Sequence, residues 1–198
     1  RGKPSTHKKY GESTAVLAGN SLLTLAFEIL TNKNLKISDN KKILLIKYIS
    51  NCSGHEGIAG GQYSDLNFEN KKISLSKIKD MQVKKTGRLF SFCCVAPLII
   101  VNKNNLINKY KKIGEDIGLL FQIADDLIDY SGSTKIAGKK TKKDEAKGKA
   151  TLIGLLGYKN TIKYSKKLKL NIFNELAKYH KRSSDLRQTI EFILNRKN

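Results

Sequence analysis

Residues 106–129 read LINKYKKIGEDIGLLFQIADDLID, and this stretch carries a strong helical period. Its apolar residues recur every three or four positions, which places them on or near one stripe of an α-helix. The stripe consists of Ile113, Ile117, Leu120, Phe121, Ala124 and Ile128. The pattern predicts a core helix that ends in a group of carboxylates.

Two long segments upstream of this helix also favour helices. Residues 13–30 are largely apolar around the helix, so we expect this helix to be buried. Residues 75–101 predict a second long helix that Ser74 caps at its start. Pro97 should kink or end it, because proline lacks the backbone N–H that a helix interior needs.

Shorter helices are predicted near residues 42–50 and in GIAGGQYSDL (57–66), where glycines suit a close approach of two backbones. Residues 130–149 break the helical period with glycines among many lysines, which predicts a flexible basic loop. Helices resume at Thr151. Neither strand alternation nor a fixed internal repeat is visible. We therefore expect an all-α fold in a single domain, residues 1–198.

The chain is strongly basic, with 38 Lys and Arg against 17 Asp and Glu and a formal net charge of +21 over 198 residues. Such a charge fits a nucleic acid, an anionic membrane surface or a small polyanionic substrate. Lysines are scattered through almost every segment, which a biased genome explains equally well. Charge alone does not choose among these readings.

The cysteines and apolar runs indicate a soluble protein of a reducing compartment. Cys52, Cys93 and Cys94 form no CxxC pair, and the adjacent pair lies in an apolar run, which favours core filling over a disulfide. Residues 90–101 are too short to span a bilayer, which needs about 20 apolar residues. No signal peptide is visible. We predict a cytoplasmic protein without stable membrane insertion.

The carboxylates of FQIADDLID (121–129) are the strongest chemical signal. Asp125 and Asp129 are four residues apart and project from one helix face, with Asp126 beside them. Like charges among apolar residues are costly, so a cation should offset them. Mg²⁺ is the natural candidate, because it prefers hard oxygen ligands shared with phosphates. A solvated helix end paired with nearby lysines is the alternative reading.

Basic residues supply the other half of a phosphate site. Lys139 and Lys149 lie in the glycine-flanked loop, which could fold over a diphosphate, and Lys85 beside Thr86 offers a second pair of donors. Each lysine taken singly is more simply an ordinary surface lysine in so basic a chain. The functional reading depends on their combination with the acids.

Several motifs together resemble the polyprenyl synthetases, the family of farnesyl and geranylgeranyl diphosphate synthases. FQIADDLID resembles the second aspartate-rich motif of that family, and RGKPSTHKKYGE (1–12) resembles the segment just after its first. The segments AVLAGNSLLTLAFEIL, GGQYSDL, KKTGRLF and GKATLIGLLG also follow in family order and spacing. The resemblance covers essentially the whole chain and implies a helical bundle of the isoprenoid synthase type.

The resemblance also implies roles for individual residues. Asp125, Asp126 and Asp129 would bind Mg²⁺ that bridges an allylic diphosphate. The residues implied to contact the diphosphate or the early transition state are Lys85, Thr86, Gln122, Lys139 and Lys149. Arg1 stands in the place of an arginine that contacts isopentenyl diphosphate, and Gln62 and Asp65 match a motif that lines the cavity.

The implied chemistry is the ionisation of an allylic diphosphate, attack by the double bond of isopentenyl diphosphate, and loss of a proton. HKKYGE and GGQYSDL resemble the short-chain bacterial branch, so a farnesyl or geranylgeranyl product is expected. The family resemblance also implies a homodimer. Asn20 stands where the family usually has Asp, and Ser133 where Asp commonly follows Gly. Both departures bear on fine positioning.

Two alternatives remain. The sequence begins just after the position of the first aspartate-rich motif, so we expect the family's N-terminal helices to be missing from it. This absence favours a non-catalytic regulatory subunit of a prenyl diphosphate synthase, whereas the intact DDLID, Lys85 and Lys139 favour the enzyme. A basic nucleic-acid binder would leave the acids unexplained, so we expect no nucleic-acid partner.

Overall fold

The computed structural model describes residues 3–137 and 149–195, with the side chains of residues 132–137 excepted. Every regular element in this part of the chain is helical, as the sequence predicted. The α-helices are α1 (Thr6–Tyr10), α2 (Glu12–Thr31), α3 (Asp39–Ser53), α4 (Ile58–Asn67), α5 (Leu75–Gln82), α6 (Arg88–Ile100), α7 (Ile107–Ala137), α8 (Leu152–Leu156), α9 (Tyr158–Ala177) and α10 (Ser184–Asn195). A π-helical turn, Val83–Gly87, joins α5 to α6, and short 3₁₀ turns occur at Asn104–Leu106 and His180–Ser183.

The chain divides into two compact units, and the division falls after Tyr48, within α3. The first unit contains α1, α2 and the start of α3. None of the residues of α2 is buried, so the prediction of a buried helix was wrong. A helix that is apolar all round needs neighbours on every side, and one short helix with part of another cannot supply them.

Helix α2 is also the one helix in the described part of the chain that is long and apolar enough to cross a membrane, with a mean hydropathy of 1.4. Its 20 residues extend about 30 Å at 1.5 Å per residue, close to the thickness of a bilayer core. Length and composition alone make this match, and core helices of water-soluble proteins meet the same criteria. The prediction of no membrane insertion depended on residues 90–101 and did not take α2 into account.

The second unit is built around α7. Helix α6 packs along it, α9 and α10 cover other parts of it, and α8 contacts both α5 and α7. The core positions on α7 are 0–4% exposed, and they are Ile113, Ile117, Leu119, Leu120, Ile123 and Ala124. Four of the six predicted stripe residues are among them. The other two, Phe121 and Ile128, are only partly buried, and Leu119 and Ile123 were not predicted.

The predicted long helix at residues 75–101 is confirmed with one irregularity. Ser74 caps α5 by accepting a hydrogen bond from the Lys77 N–H at 3.5 Å, and the helical run extends to Ile100. Pro97 lies inside α6, three residues before its end, so it precedes the end of the helix without stopping it at once. The π-helical turn in the middle was not predicted.

The predicted end of the acidic helix was wrong. Helix α7 continues from Asp129 through Ala137, so the aspartates lie within the helix, and residues 130–137 belong to it. Residues 138–148 of the predicted loop lie outside the described residues. After them, Thr151 caps α8 by accepting a hydrogen bond from the Gly154 N–H at 3.1 Å.

Candidate active site

A contact between two backbones sets the first side of the site. Gly61 of α4 lies against Lys85, and a Cβ added at Gly61 would be only 2.2 Å from the Lys85 backbone nitrogen. Asp65 follows Gly61 by one helical turn and therefore faces the same way. Its Oδ2 accepts a hydrogen bond from Lys85 Nζ at 2.6 Å, and both side chains are largely shielded from solvent. The glycine thus fixes an acid beside a lysine.

The π-helical turn presents Lys85 and the next residue to two different helices. Lys85 contacts α4, whereas the Thr86 hydroxyl donates a hydrogen bond to Gln122 Oε1 on α7 at 3.3 Å. The turn ends at Gly87, which packs so closely that a Cβ on Gly118 of α7 would be 2.5 Å from its Cα. Single π-helical turns inside α-helices are rare and often occur at functional sites. This turn links α4 to α7.

Asp126 is held by two glutamine amides. Gln122 Nε2 donates to its Oδ1 at 2.9 Å, and Gln82 Nε2 donates to its Oδ2 at 3.3 Å. Asp126 is 6% exposed and Gln82 is 3% exposed. Donors on both oxygens offset part of the cost of burying a carboxylate. For Asp126, the alternative of a solvated helix end is therefore wrong.

These groups surround one cavity of about 190 Å³. Its lining residues are Asp65, Met81, Gln82, Lys85, Gln122, Asp125, Asp126, Asp129, Lys149, Ala150 and Thr151. Four carboxylates and two ammonium groups give this lining a formal charge of −2, in a chain whose total is +21. The cavity is therefore locally acidic, with basic groups beside the acids, and this arrangement suits a divalent cation together with an anion.

The structure brings together seven of the residues that the sequence singled out. They are Asp65, Lys85, Gln122, Asp125, Asp126, Asp129 and Lys149. Thr86 contacts this group through Gln122 without lining the cavity. Gln62 is exposed on α4 and is not part of the lining. Arg1 and Lys139 lie outside the described residues.

The donor set fits Mg²⁺ in its chemistry. Asp125 is half-buried and Asp129 is exposed, so oxygen ligands are available at the cavity surface. Within the described residues, no three or more His, Cys, Asp or Glu side chains lie close enough together to hold a metal. Mg²⁺ is commonly bound through one or two carboxylates plus substrate phosphates, and it does not require a cage made of protein ligands.

Four residues of the lining were not predicted from the sequence, namely Met81, Gln82, Ala150 and Thr151. Gln82 had a detectable signal, because it stands four residues after Ile78 and next to Met81, at a position where the helical pattern expects an apolar residue. Its burial confirms that position. A polar residue in an apolar stripe is a candidate for a specific hydrogen bond.

The polyprenyl synthetase family matches this chain over residues 1–192. The chain belongs to the polyprenyl synthetase family. The predicted family and its all-α fold are thereby confirmed.

Two curated members illustrate the relationship. The farnesyl diphosphate synthase of Micrococcus luteus is 34% identical over 197 residues, covering 99% of this chain and 67% of the relative. The farnesyl diphosphate synthase of Bacillus subtilis is 36% identical over 158 residues, covering 79% of this chain and 53% of the relative. The chain thus spans between half and two thirds of the length of these polyprenyl synthetases.

Solved structures of polyprenyl synthetases have the same fold as this chain. An FPP/GFPP synthase from Zymomonas mobilis superposes with a TM-score of 0.82 at 35% identity, covering 98% of this chain and 65% of that structure. A geranyltransferase from Helicobacter pylori, complexed with magnesium and isoprenyl diphosphate, gives a TM-score of 0.79 at 31% identity, covering 98% of this chain and 63% of that structure.

Proposed function

We propose that the protein containing this chain catalyses the head-to-tail condensation of isopentenyl diphosphate with an allylic diphosphate, giving a short-chain product of the farnesyl or geranylgeranyl type. The supporting observation is the acidic cavity, in which aspartates of α7 face Asp65 and Lys85. The family and its farnesyl diphosphate synthase relatives supply the reaction class.

Each side of the cavity has a distinct proposed task. Lys85 and Lys149 donate hydrogen bonds to diphosphate oxygens, because ammonium groups bind phosphates as compact positive charges. Asp65 holds the Lys85 ammonium at 2.6 Å, so that charge is fixed before a substrate arrives. Lys139, Thr86 and Gln122 join this set by the family resemblance, as do Arg1 and Gln62 for substrate binding.

The aspartates would hold Mg²⁺. Bound there, the ion would supply positive charge to the diphosphate leaving group. Asp125 and Asp129 project from the same face of α7, one turn apart, and offer carboxylate oxygens at the cavity surface. Asp126 is anchored by two amides and stiffens the helix face between them. Placing these groups on rigid helices favours precise positioning.

An Asp125→Ala substitution tests this proposal. The protein should be expressed from the longest open reading frame that contains this chain, and incubated with isopentenyl and allylic diphosphates and Mg²⁺. Product formation should fall by about 100-fold or more, because the cation loses a ligand while the helices persist. Chromatography of the products and far-UV circular dichroism measure the two effects. Asp39→Ala, at a 92% exposed side chain, is the matched control.

Turnover by Asp125→Ala at near the unmodified rate would refute the assignment. An unmodified protein that forms no product, yet changes the rate of an added active synthase, would favour the regulatory subunit. The same open reading frame also tests this alternative, since a DDxxxxD segment upstream of Arg1 supports the enzyme. The homodimer, the cytoplasmic location and the absence of membrane insertion remain predictions, which size-exclusion chromatography and cell fractionation would check.

A further inference from the structure

Gln82 carries a buried polar atom that the proposed function does not explain. Its side chain lines the acidic cavity and is 3% exposed. Its Nε2 donates to Asp126, but its Oε1 has no hydrogen-bond donor among the described residues. A buried carbonyl oxygen without a donor is destabilising, because it has given up its hydrogen bonds to water without replacing them. Such a cost at the wall of a site indicates a missing donor.

The direction of the amide is set by its neighbour. An ionised carboxylate only accepts hydrogen bonds, so the NH₂ group of Gln82 must face Asp126. Exchanging the two ends would put two acceptors together. Gln122 is fixed in the same manner, but its Oε1 receives the Thr86 hydroxyl. Of these two glutamines on Asp126, Gln82 is the one whose carbonyl still needs a donor from outside the described residues.

The nature of this donor follows from the chemistry of the cavity. A diphosphate oxygen is an acceptor and cannot bind a carbonyl oxygen directly. The aspartates are acceptors too. The two lysines of the lining, Lys85 and Lys149, are assigned to the diphosphate in the proposed function, and Lys85 is also held by Asp65. Mg²⁺ keeps several of its waters when it binds carboxylates, and these waters are polarised donors. A water of the coordination shell therefore matches what Gln82 Oε1 needs.

We propose that Gln82 is a positioning residue that accepts a hydrogen bond from a water ligand of a divalent cation held by the aspartates of α7, while its amide nitrogen orients Asp126. This inference rests on the proposed function for the presence of the cation. It adds an acceptor from α5 to a site that the acids of α7 otherwise define. Residues that hydrogen-bond to the ligands of a metal ion commonly change the affinity of the site 10- to 100-fold.

Mn²⁺ binding in the presence of inorganic diphosphate tests the proposal without turnover, with the protein expressed from the longest open reading frame that contains this chain. Mn²⁺ replaces Mg²⁺ because its free form has a measurable electron paramagnetic resonance signal. Gln82→Leu, which removes both hydrogen-bonding groups, should weaken Mn²⁺ binding about 10- to 100-fold. Gln82→His should restore most of the affinity at pH 8, because neutral imidazole offers one donor and one acceptor. Gln188→Leu, at an exposed position of α10, should bind as the unmodified protein does.

A second readout separates the water contact from the contact with Asp126. Oxygen-17 relaxation reports how fast waters on the bound Mn²⁺ exchange with solvent. Gln82→Leu should speed the exchange of one water several-fold, because its acceptor is lost. Gln122→Leu removes the shorter amide contact to Asp126 and should leave that exchange unchanged. Circular dichroism identifies variants that do not fold. If Gln82→Leu does not fold, the affinity and water exchange of Gln82→His are compared with those of the unmodified protein instead.

The outcomes distinguish this inference from the proposed function. Mn²⁺ binding by Gln82→Leu within twofold of the unmodified protein would overturn the role of Gln82 and leave the metal site intact. Equal water exchange in both leucine variants would reduce Gln82 to a support for Asp126 and overturn the water contact. No specific Mn²⁺ binding by the unmodified protein would overturn both ideas.

Discussion

Helices α2 and α7 are both rich in apolar residues, yet they differ completely in burial. Helix α2 has no buried residue, and Leu22 is 68% exposed. Helix α7 buries a continuous stripe in which Leu120 and Ile123 are fully shielded. The difference lies in the neighbours, since α7 is covered by α6, α9 and α10 within its unit. Apolar sequence predicts the capacity for burial, and the surrounding elements decide whether burial occurs.

The largest expected effect on stability comes from shortening a buried leucine of α7, compared with an exposed leucine of α2. Leu120→Ala should lower the free energy of unfolding by about 2–5 kcal/mol, because it leaves a cavity at a fully buried position. Leu22→Ala on α2 should change it by less than about 0.5 kcal/mol. Urea unfolding followed by circular dichroism measures both. Similar losses for the two variants would show that α2 is buried in solution.

Glycine-to-alanine substitutions should change the free energy of unfolding in opposite directions in the two helices. A Cβ at Gly118 would be 2.5 Å from the Gly87 Cα, so Gly118→Ala should cost about 1–3 kcal/mol by forcing the π-helical turn at the start of α6 away from α7. A Cβ at Gly19 on α2 meets nothing within 4 Å, and Gly19→Ala should stabilise by about 0.5–1 kcal/mol. The same unfolding experiment compares them. A stabilising Gly118→Ala would contradict the close packing of α6 on α7.

The smallest effect concerns thiols on the two sides of α6, the helix that packs on α7. Burial raises the pKa of Cys94 to about 11, whereas Cys93 is exposed. Because the thiolate forms as pH rises through the pKa, Cys94 should stay protonated at pH 8 and react with iodoacetamide much more slowly than Cys93. Mass spectrometry after brief labelling measures the two rates. Equal rates in folded protein, as in urea, would contradict the burial of Cys94.

Most of the fold followed from the sequence, because helical periods and caps act locally. Most of the apolar stripe of α7 and the cap at Ser74 are examples. The end of α7 did not follow, because glycines and lysines weaken a helix without stopping it when the preceding turns are anchored. The exposure of α2 could not be deduced either, since the period of a helix does not identify its neighbours.

The charged residues of the candidate site could be predicted from the sequence, because their side chains suit a cation or a phosphate whatever their neighbours are. The acids of α7, Lys85 and Lys149 line the cavity as the combination of motifs suggested. Gln82 was not recognised, because its value depends on a buried amide pair with Asp126 that joins residues 44 positions apart. Gln62 belongs to the same motif as Asp65, but its exposed side chain does not line this cavity, and its part in substrate binding stays a prediction.

The contact of Gly61 with Lys85 constrains how this site can change over generations. A contact between side chains can be adjusted by small steps, one methyl group at a time, whereas this contact joins two main chains. Every replacement of Gly61 adds at least a Cβ, and it would strike backbone atoms that cannot turn away. Single substitutions at Gly61 therefore cannot adjust the distance between Asp65 and Lys85 in small steps. A different distance requires a shift of the whole of α4.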